Sequence, residues 1–410
     1  MTIMKNSTRI QRRVAEVVDP YKRYSEIFVG EVAKVVPNAP YQLYLKELPQ
    51  NTGRTFMQKI SITRSKKLKS KPDPSTLKFG QTFTDHMFIM EYFEGQGWVD
   101  PRIVPYGPIS LDPSSKVLHY GQEIFEGLKA YRHADGSPVL FRPEMNYQRM
   151  NVSCERMCIP SFDEDFALAA TRKLVEIDAD WIPNAPGTSL YIRPFIFACD
   201  NVIGIGPGAQ YIFMIIMSPV GPYFGEKLSA IKINVETEYV RASKGGVGFA
   251  KTGGNYASAL LATKKAHQAG FAQVLWLDGV ERRYIEEVGA MNIFFNIDGE
   301  IITPSLEGTI LAGVTRNSCI QVLKSKGIKV TERRICIDEL QQHMRAKRLK
   351  EVFGSGTAAV ITPIGGIQIG KDFWEVANGE AGEVTKMLYD TITGIQTGAV
   401  ADSFGWIVRV

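Results

Sequence analysis

The sequence predicts a two-domain α+β chain, and three observations carry that expectation. At 410 residues it exceeds what one ordinary core accommodates and matches two domains of typical size. Short apolar runs read as strands, among them Val139-Leu140-Phe141, Leu190-Tyr191-Ile192 and Ile231-Lys232-Ile233-Asn234-Val235, whereas residues 146–157 and 166–177 carry helical spacing. Between two strand-like runs lies Ser218-Pro219-Val220-Gly221-Pro222-Tyr223-Phe224-Gly225, so dense in breakers that it reads as the interdomain loop.

These signals divide the chain into an extension over residues 1–70, a first domain over 71–217, the loop 218–225 and a second domain over 226–410. Pro72-Asp73-Pro74 marks the first junction, because proline disfavours helix in the residue before it. Within the extension, Ile10, Val14, Val17, Tyr21, Tyr24 and Phe28 keep helical spacing, which predicts an amphipathic helix packed on the body of the protein or on a partner subunit. The rival reading is a mitochondrial transit peptide, since Lys5, Arg9, Arg12 and Arg13 precede the first acid, Glu16.

A content of 44% hydrophobic and 22% charged residues fits a soluble globular protein. The longest apolar run, Tyr211 to Met217, is far short of the roughly 18 residues of a membrane helix, so no membrane partner is expected. Much of the +5 net charge sits in Arg64, Lys66, Lys67, Lys69 and Lys71, a stretch without acids. No aromatic residue is interleaved there to stack bases, so it reads as a solvated basic connector and not a nucleic-acid site. Five scattered cysteines make no disulfide framework, which points to a reducing, cytoplasmic setting. Cys154 and Cys158 share a helical face without a histidine pair nearby, so buried thiols are expected and no metal.

The chemistry concentrates in Gly245-Gly246-Val247-Gly248-Phe249-Ala250-Lys251-Thr252-Gly253-Gly254-Asn255-Tyr256, where one lysine stands between glycine clusters. Glycine lets the backbone turn tightly and lets a bound ring or phosphate approach. After the apolar run Val274-Leu275-Trp276-Leu277 comes Glu287-Val288-Gly289-Ala290-Met291-Asn292, which places a carboxylate at the edge of a buried strand. Lysine, tyrosine, distant carboxylate and glycine turns together point to a site where Lys251 holds pyridoxal phosphate through a Schiff base and an acid holds the pyridine nitrogen. The competing reading is a P-loop, because Gly245 to Thr252 approaches G-x-x-x-x-G-K-[ST]. Ala250 replaces the last glycine, however, and Gly253-Gly254 interrupt the helix that a P-loop requires.

From about Lys71 to the C-terminus the chain resembles the branched-chain aminotransferases, fold-type-IV pyridoxal-phosphate enzymes. The resemblance rests on Phe79-Gly80, Phe83-Thr84-Asp85-His86-Met87, Leu118-His119-Tyr120, Phe125-Glu126-Gly127, Tyr191-Ile192-Arg193-Pro194, Leu311-Ala312-Gly313-Val314-Thr315-Arg316 and Phe353-Gly354-Ser355-Gly356-Thr357-Ala358, besides the lysine and glutamate segments. It implies two domains, each a mostly antiparallel or barrel-like sheet with flanking helices.

It also implies roles. Lys251 anchors pyridoxal phosphate and moves the proton, Tyr256 hydrogen-bonds the phenolic oxygen, and Glu287 faces the pyridine nitrogen, its neighbour Glu286 being the rival. Arg149, the turn Gly313-Val314-Thr315 and Thr357 hold the phosphate, with Arg142 the competing arginine. Phe79, Tyr120, Phe125 and Tyr191 form the aromatic substrate wall, Arg193 reads the γ-carboxylate of glutamate, and Ala290 and Ala358 offer backbone N–H groups to the α-carboxylate. In a strand, Tyr191-x-Arg193 places both side chains on one face. Animal members carry C-x-x-C after the Gly-Thr-Ala turn; here Ala359 and Thr362 stand instead.

The implied activity is transfer of the amino group of leucine, isoleucine or valine to 2-oxoglutarate by a homodimer. The rivals are a D-amino-acid aminotransferase or aminodeoxychorismate lyase of the same fold, or a non-catalytic pyridoxal-phosphate-binding regulator.

Overall fold

The computed structural model describes residues 58–222 and 228–410, so the expected helix over residues 10–28 and part of the interdomain loop, residues 223–225, lie outside them. Two nine-stranded sheets with flanking helices make up these residues. The first sheet begins with β1 (Ser61–Ile62), β2 (His86–Phe93) and β3 (Gly97–Pro105). After helix α1 (Lys116–Tyr120) it continues through β4 (Glu123–Phe125), β5 (Leu128–Arg132) and β6 (Pro138–Phe141). Helices α2 (Pro143–Arg156) and α3 (Glu164–Ile177) intervene before the long strands β7 (Ser189–Ala198) and β8 (Gln210–Val220).

Both helices start where the sequence supplies a signal. Pro143 occupies the first turn of α2, where its missing N–H costs nothing, and Asp163 caps α3 by accepting from the Phe166 N–H at 2.9 Å. Tyr147, Met150 and Cys154 recur at helical spacing on the buried face of α2 and pack with Phe166, Ala170 and Leu174 of α3 against the sheet.

Strand β8 runs three residues into the span expected to be loop. Ser218, Pro219 and Val220 pair with Tyr191, Leu190 and Ser189 of β7. Pairing with β2 on the other side ends at Ile215, so Pro219 sits where a missing N–H breaks no ladder bond. Ser61–Ile62, within the expected extension, pairs in parallel with β3. The basic stretch after it is partly engaged. Lys69 donates from its N–H to Asp85 at 2.8 Å and from Nζ to the carbonyls of Phe83 and Thr84, and Lys71 stands 5.5 Å over the Trp181 ring.

The second sheet starts with β9 (Ile231–Val235), followed by helices α4 (Gly254–Ala257) and α5 (Leu260–Gln268). Strands β10 (Gln273–Leu277), β11 (Ile285–Val288), β12 (Met291–Ile297) and β13 (Glu300–Thr303) come next. Helix α6 (Val314–Ser325), β14 (Val330–Glu332), α7 (Ile337–Arg345), β15 (Leu349–Gly356), β16 (Val360–Ile369), β17 (Asp372–Glu375) and α8 (Glu383–Thr397) complete it. The pairings β9–β10–β11–β12–β15–β16–β9 close into a barrel, because β11 also pairs with β12. Ile233, Leu275, Ile293, Phe295 and Ile367 belong to the apolar cluster of this sheet.

The last strand, β18 (Ile407–Arg409), returns to the first sheet and pairs with β6. A third apolar cluster joins the halves: Val139 and Phe141 pack with Phe294, Phe353, Leu323, Leu388 and Trp406. The junction between the sheets is therefore built as core, which lets it hold a site with fixed geometry.

Candidate active site

The loop between β9 and α4 delivers Lys251 to this junction. Two backbone bonds clamp it to the first half: its N–H donates to Ser153 Oγ of α2 at 2.9 Å, and its carbonyl accepts from the Phe125 N–H of β4 at 2.9 Å. Glu123 holds the following turn, accepting from the Thr252 hydroxyl and the Gly253 N–H. With its backbone fixed, the half-buried side chain places Nζ 2.9 Å from the Tyr256 hydroxyl and 4.7 Å from the centre of the Phe125 ring. Tyr256 reaches the amine because α4 begins at Gly254, the second glycine of the pair, and turns the chain back.

Glu287 projects from β11 and is only 3% exposed. One oxygen accepts from the Leu311 N–H at 2.8 Å and the other lies 3.3 Å from Arg241 Nε. Burial lifts its carboxyl above the ordinary range, opposed by Arg241, the Leu311 N–H, Lys251 and Arg149. Glu286 takes the other face, as strand alternation requires, and burial lifts its carboxyl, opposed by the Thr309 side chain and Arg241. The charges acting on it are Arg241, Glu287 and Asp278. Of the two acids, Glu287 is the one that senses Lys251.

An anion cradle lies beside them. Gly313 heads the twelve-residue helix α6 without any side-chain cap, so the N–H groups of the first turn, Val314 and Thr315 included, have no intrahelical acceptor. A Cβ there would fall 2.0 Å from Asn292 Oδ1, so a larger residue would push Asn292 off the Leu311 carbonyl to which it donates. Arg149 stands next to this turn: Nη1 donates to the Ala312 carbonyl at 2.9 Å, while Nε and Nη2 fork onto Glu126 at 2.7 and 2.9 Å. Thr357, in the turn between β15 and β16, shares the wall of one small cavity with Val314 and Thr315. Arg142, the competing arginine, is turned away. It donates to Ser318 Oγ and Asn317 Oδ1 at 2.7 and 2.8 Å and stacks on Trp406.

On the other side of the lysine, Arg193 stacks 4.5 Å over Phe125 and donates to the Tyr191 hydroxyl at 3.0 Å, and Phe79 meets the Tyr191 ring edge-on at 4.8 Å. The Nε of Arg193 is buried without a hydrogen-bond partner among the described residues. Tyr191 can sit there only because residue 127 is glycine, whose added Cβ would lie 2.1 Å from the phenol oxygen. Gly127→Ala should therefore displace Tyr191 and raise KM by about tenfold, the loss of about 1.4 kcal/mol, beside a lowered thermal midpoint from the overpacking. A KM unchanged in steady-state assays would remove Tyr191 from the substrate wall.

Ala290 is exposed in the turn between β11 and β12, and Ala358 lies in the β15–β16 turn, its carbonyl accepting from the buried Lys129 Nζ at 2.8 Å. Tyr120 stands apart. It is 46% exposed and its hydroxyl donates to the Ile203 carbonyl, not to any member of the Phe125, Tyr191 and Arg193 group. Sequence reasoning missed the buried acid Glu126, although it lies inside Phe125-Glu126-Gly127, and also Glu123, Ser153 and Arg241. Burial lifts the Glu126 carboxyl, but Arg149, Lys251 and Asn146 more than offset it and leave it below its ordinary range.

Residues 123–367 match the family model described as Amino-transferase class IV. A branched-chain-amino-acid aminotransferase of Bacillus subtilis (strain 168) is 56% identical over 352 residues, covering 86% of this chain and 96% of that protein. The chain belongs to the class IV aminotransferase family. Among solved structures, the Escherichia coli branched-chain amino acid aminotransferase superposes with a TM-score of 0.64 at 31% identity, covering 78% of this chain and 98% of that one. The T.th. branched-chain amino acid aminotransferase complexed with N-(5′-phosphopyridoxyl)-L-glutamate gives a TM-score of 0.61 at 27% identity, covering 78% and 97%. The family carries the two-sheet α+β architecture described above.

Proposed function

We propose that this chain is a pyridoxal-phosphate-dependent branched-chain amino-acid aminotransferase, exchanging the amino group of leucine, isoleucine or valine with 2-oxoglutarate. The observation that carries the reading is the Lys251 amine 2.9 Å from the Tyr256 hydroxyl, at a junction flanked by the buried Glu287 and by the open first turn of α6. The likeness to the Bacillus subtilis protein over nearly the full length of that protein supports the same reaction.

The donor set fits pyridoxal phosphate. The N–H groups of Val314 and Thr315 with Arg149 and Thr357 suit a phosphate, Tyr256 suits a phenolate oxygen, and Glu287 suits a protonated ring nitrogen. When bound, that cofactor supplies the electron sink that makes the substrate Cα proton removable. The chain's own residues do the rest. Lys251 would hold the cofactor, and its free amine, oriented by the Tyr256 hydroxyl, would accept the substrate Cα proton and give it back within the same site. Arg241 and the Leu311 N–H fix the Glu287 carboxylate, which would hold a protonated ring nitrogen without reorganisation. The Phe79, Phe125 and Tyr191 rings shed water around an aliphatic side chain, and Arg193 receives the second carboxylate of glutamate.

A homodimer is the expected assembly. Tyr120 and the neighbouring Val202, Ile203 and Ile205 present an exposed apolar patch suited to a second copy. No helix among the described residues is long and apolar enough to cross a membrane, and a cytoplasmic location is part of the same reading.

A steady-state panel of amino donors with 2-oxoglutarate tests the reading. Turnover should be highest with leucine, isoleucine and valine, and a preference for D-amino acids would overturn it. Arg193→Ala should lower kcat/KM for glutamate and 2-oxoglutarate by about 10- to 100-fold, the worth of a charge-assisted hydrogen bond, with a much smaller loss for leucine. Equal losses for both substrate types would assign Arg193 a structural role.

A further inference from the structure

Glu123 joins the Lys251 loop to the substrate wall. It heads β4, and in the register of that strand with β7 Glu123 stands opposite Phe197 and Phe125 opposite Phe195. Directly opposed residues share a face of the sheet, as do alternate residues of one strand, so Glu123, Phe125, Tyr191 and Arg193 all rise from one face. Arg193 starts beyond Phe125 along that face. Its guanidinium nevertheless leans back over the Phe125 ring, 4.5 Å from the centre, toward the end where Glu123 stands.

The two charges do not bond each other. Arg193 donates from Nη2 to the Tyr191 hydroxyl at 3.0 Å, while Glu123 accepts from the Thr252 hydroxyl at 3.3 Å and from the Gly253 N–H. Gly253 admits that carboxylate, since a Cβ there would fall 2.6 Å from Glu123 Oε1. Burial lifts the Glu123 carboxyl above its ordinary range, opposed by the Gly253 N–H, the Thr252 hydroxyl and the charge of Arg193. Coulomb attraction falls only inversely with separation, so Glu123 acts on the guanidinium without occupying its donors.

A pocket that takes both leucine and glutamate has to hold an aliphatic chain and a carboxylate in turn. A guanidinium with no opposite charge nearby is costly beside an aliphatic chain, whereas one fully paired would have no donors left for the γ-carboxylate. We propose that the Glu123 carboxylate sets this balance: from a distance it offsets the Arg193 charge when a branched aliphatic chain fills the pocket, and it opposes the second carboxylate of glutamate and 2-oxoglutarate. The inference rests on Arg193 reading that carboxylate, as proposed above. Glu123 is a specificity-determining residue in this account and takes no part in proton transfer.

The test is spectroscopic titration of the full-length holoenzyme, at about pH 8 where carboxyl groups are ionised, with glutarate as the acidic ligand and 4-methylvalerate as the aliphatic one. Neither ligand carries an amino or oxo group, so each Kd reports binding without turnover. Glu123→Gln keeps an acceptor for the Gly253 N–H and removes the charge, so the ratio of the glutarate Kd to the 4-methylvalerate Kd should fall by about threefold or more. Glu123→Asp keeps the charge but shortens the reach to Gly253, and its ratio should stay within about twofold of wild type. A ratio unchanged or raised in Glu123→Gln, or lowered equally in Glu123→Asp, would overturn the proposal. Arg193→Ala, measured in parallel, separates this inference from the reading beneath it. Weakening of glutarate alone upholds Arg193 as the reader of the carboxylate whatever Glu123→Gln shows, whereas equal weakening of both ligands would remove that reading and this inference with it.

Discussion

Lys251→Ala should lower turnover with leucine by more than about 1,000-fold, because one amine serves as cofactor anchor and as acid–base group, and acid–base action alone is worth about 100- to 10,000-fold. Cofactor binding should weaken far less. The anion cradle stays in place: Arg149 remains forked onto Glu126 and bonded to Ala312, and the first turn of α6 remains open. Ser153 and Phe125 bond the backbone of residue 251, so the loop also keeps its course. Spectroscopic titration with pyridoxal phosphate together with stopped-flow turnover would separate the two effects. Substantial activity in the variant would move the reactive amine to another lysine.

Glu287→Gln should cut kcat by at least about 100-fold, corresponding to loss of about 3 kcal/mol of transition-state stabilisation, with a smaller change in KM. The substitution keeps the shape and the acceptor for Leu311 while removing the charge that would keep the ring nitrogen protonated. Arg241 would then stand near a neutral amide in a buried position, which adds to the loss. Glu286→Gln should leave kcat almost unchanged, since strand alternation turns that side chain to the face opposite Glu287, beside Thr309. Steady-state kinetics of the two variants side by side are decisive. The reverse pattern would shift every assignment in this segment by one residue, Ala290 included.

The parts of the site that were legible in the sequence are local. Lys251 and Tyr256 are five residues apart across a glycine pair, and strand alternation turns Glu286 and Glu287 to opposite faces, the resemblance then pointing to Glu287. The parts that were not legible are pairs distant in sequence. Ser153 holds the backbone of Lys251 from 98 residues away, and Arg149 reaches Glu126 over 23 residues from another element. Neither contact leaves a periodic trace, because each depends on how α2 packs over its sheet.

The same distinction governs the fold. Helices α2 and α3 were legible from their apolar spacing, within three residues at each end of α2. Strands β1 and β18, of two and three residues, are too short to show alternation and exist through pairing with β3 and β6. Pro219 reads as a breaker in isolation, yet β7 pairs with it where β8 has lost its other neighbour. A barrel-like sheet was expected only through the family resemblance, since it closes through pairs distant in sequence, β12 with β15 and β16 with β9.

The central claim is that Lys251 is the residue that covalently holds pyridoxal phosphate, and borohydride reduction of the purified full-length protein followed by peptide mapping tests it most directly. The expected result is a yellow protein that bleaches on reduction and carries the phosphopyridoxyl group on one peptide containing Lys251. A label on Lys129, Lys244, Lys264 or Lys265 instead, or no stable label at all, would contradict it.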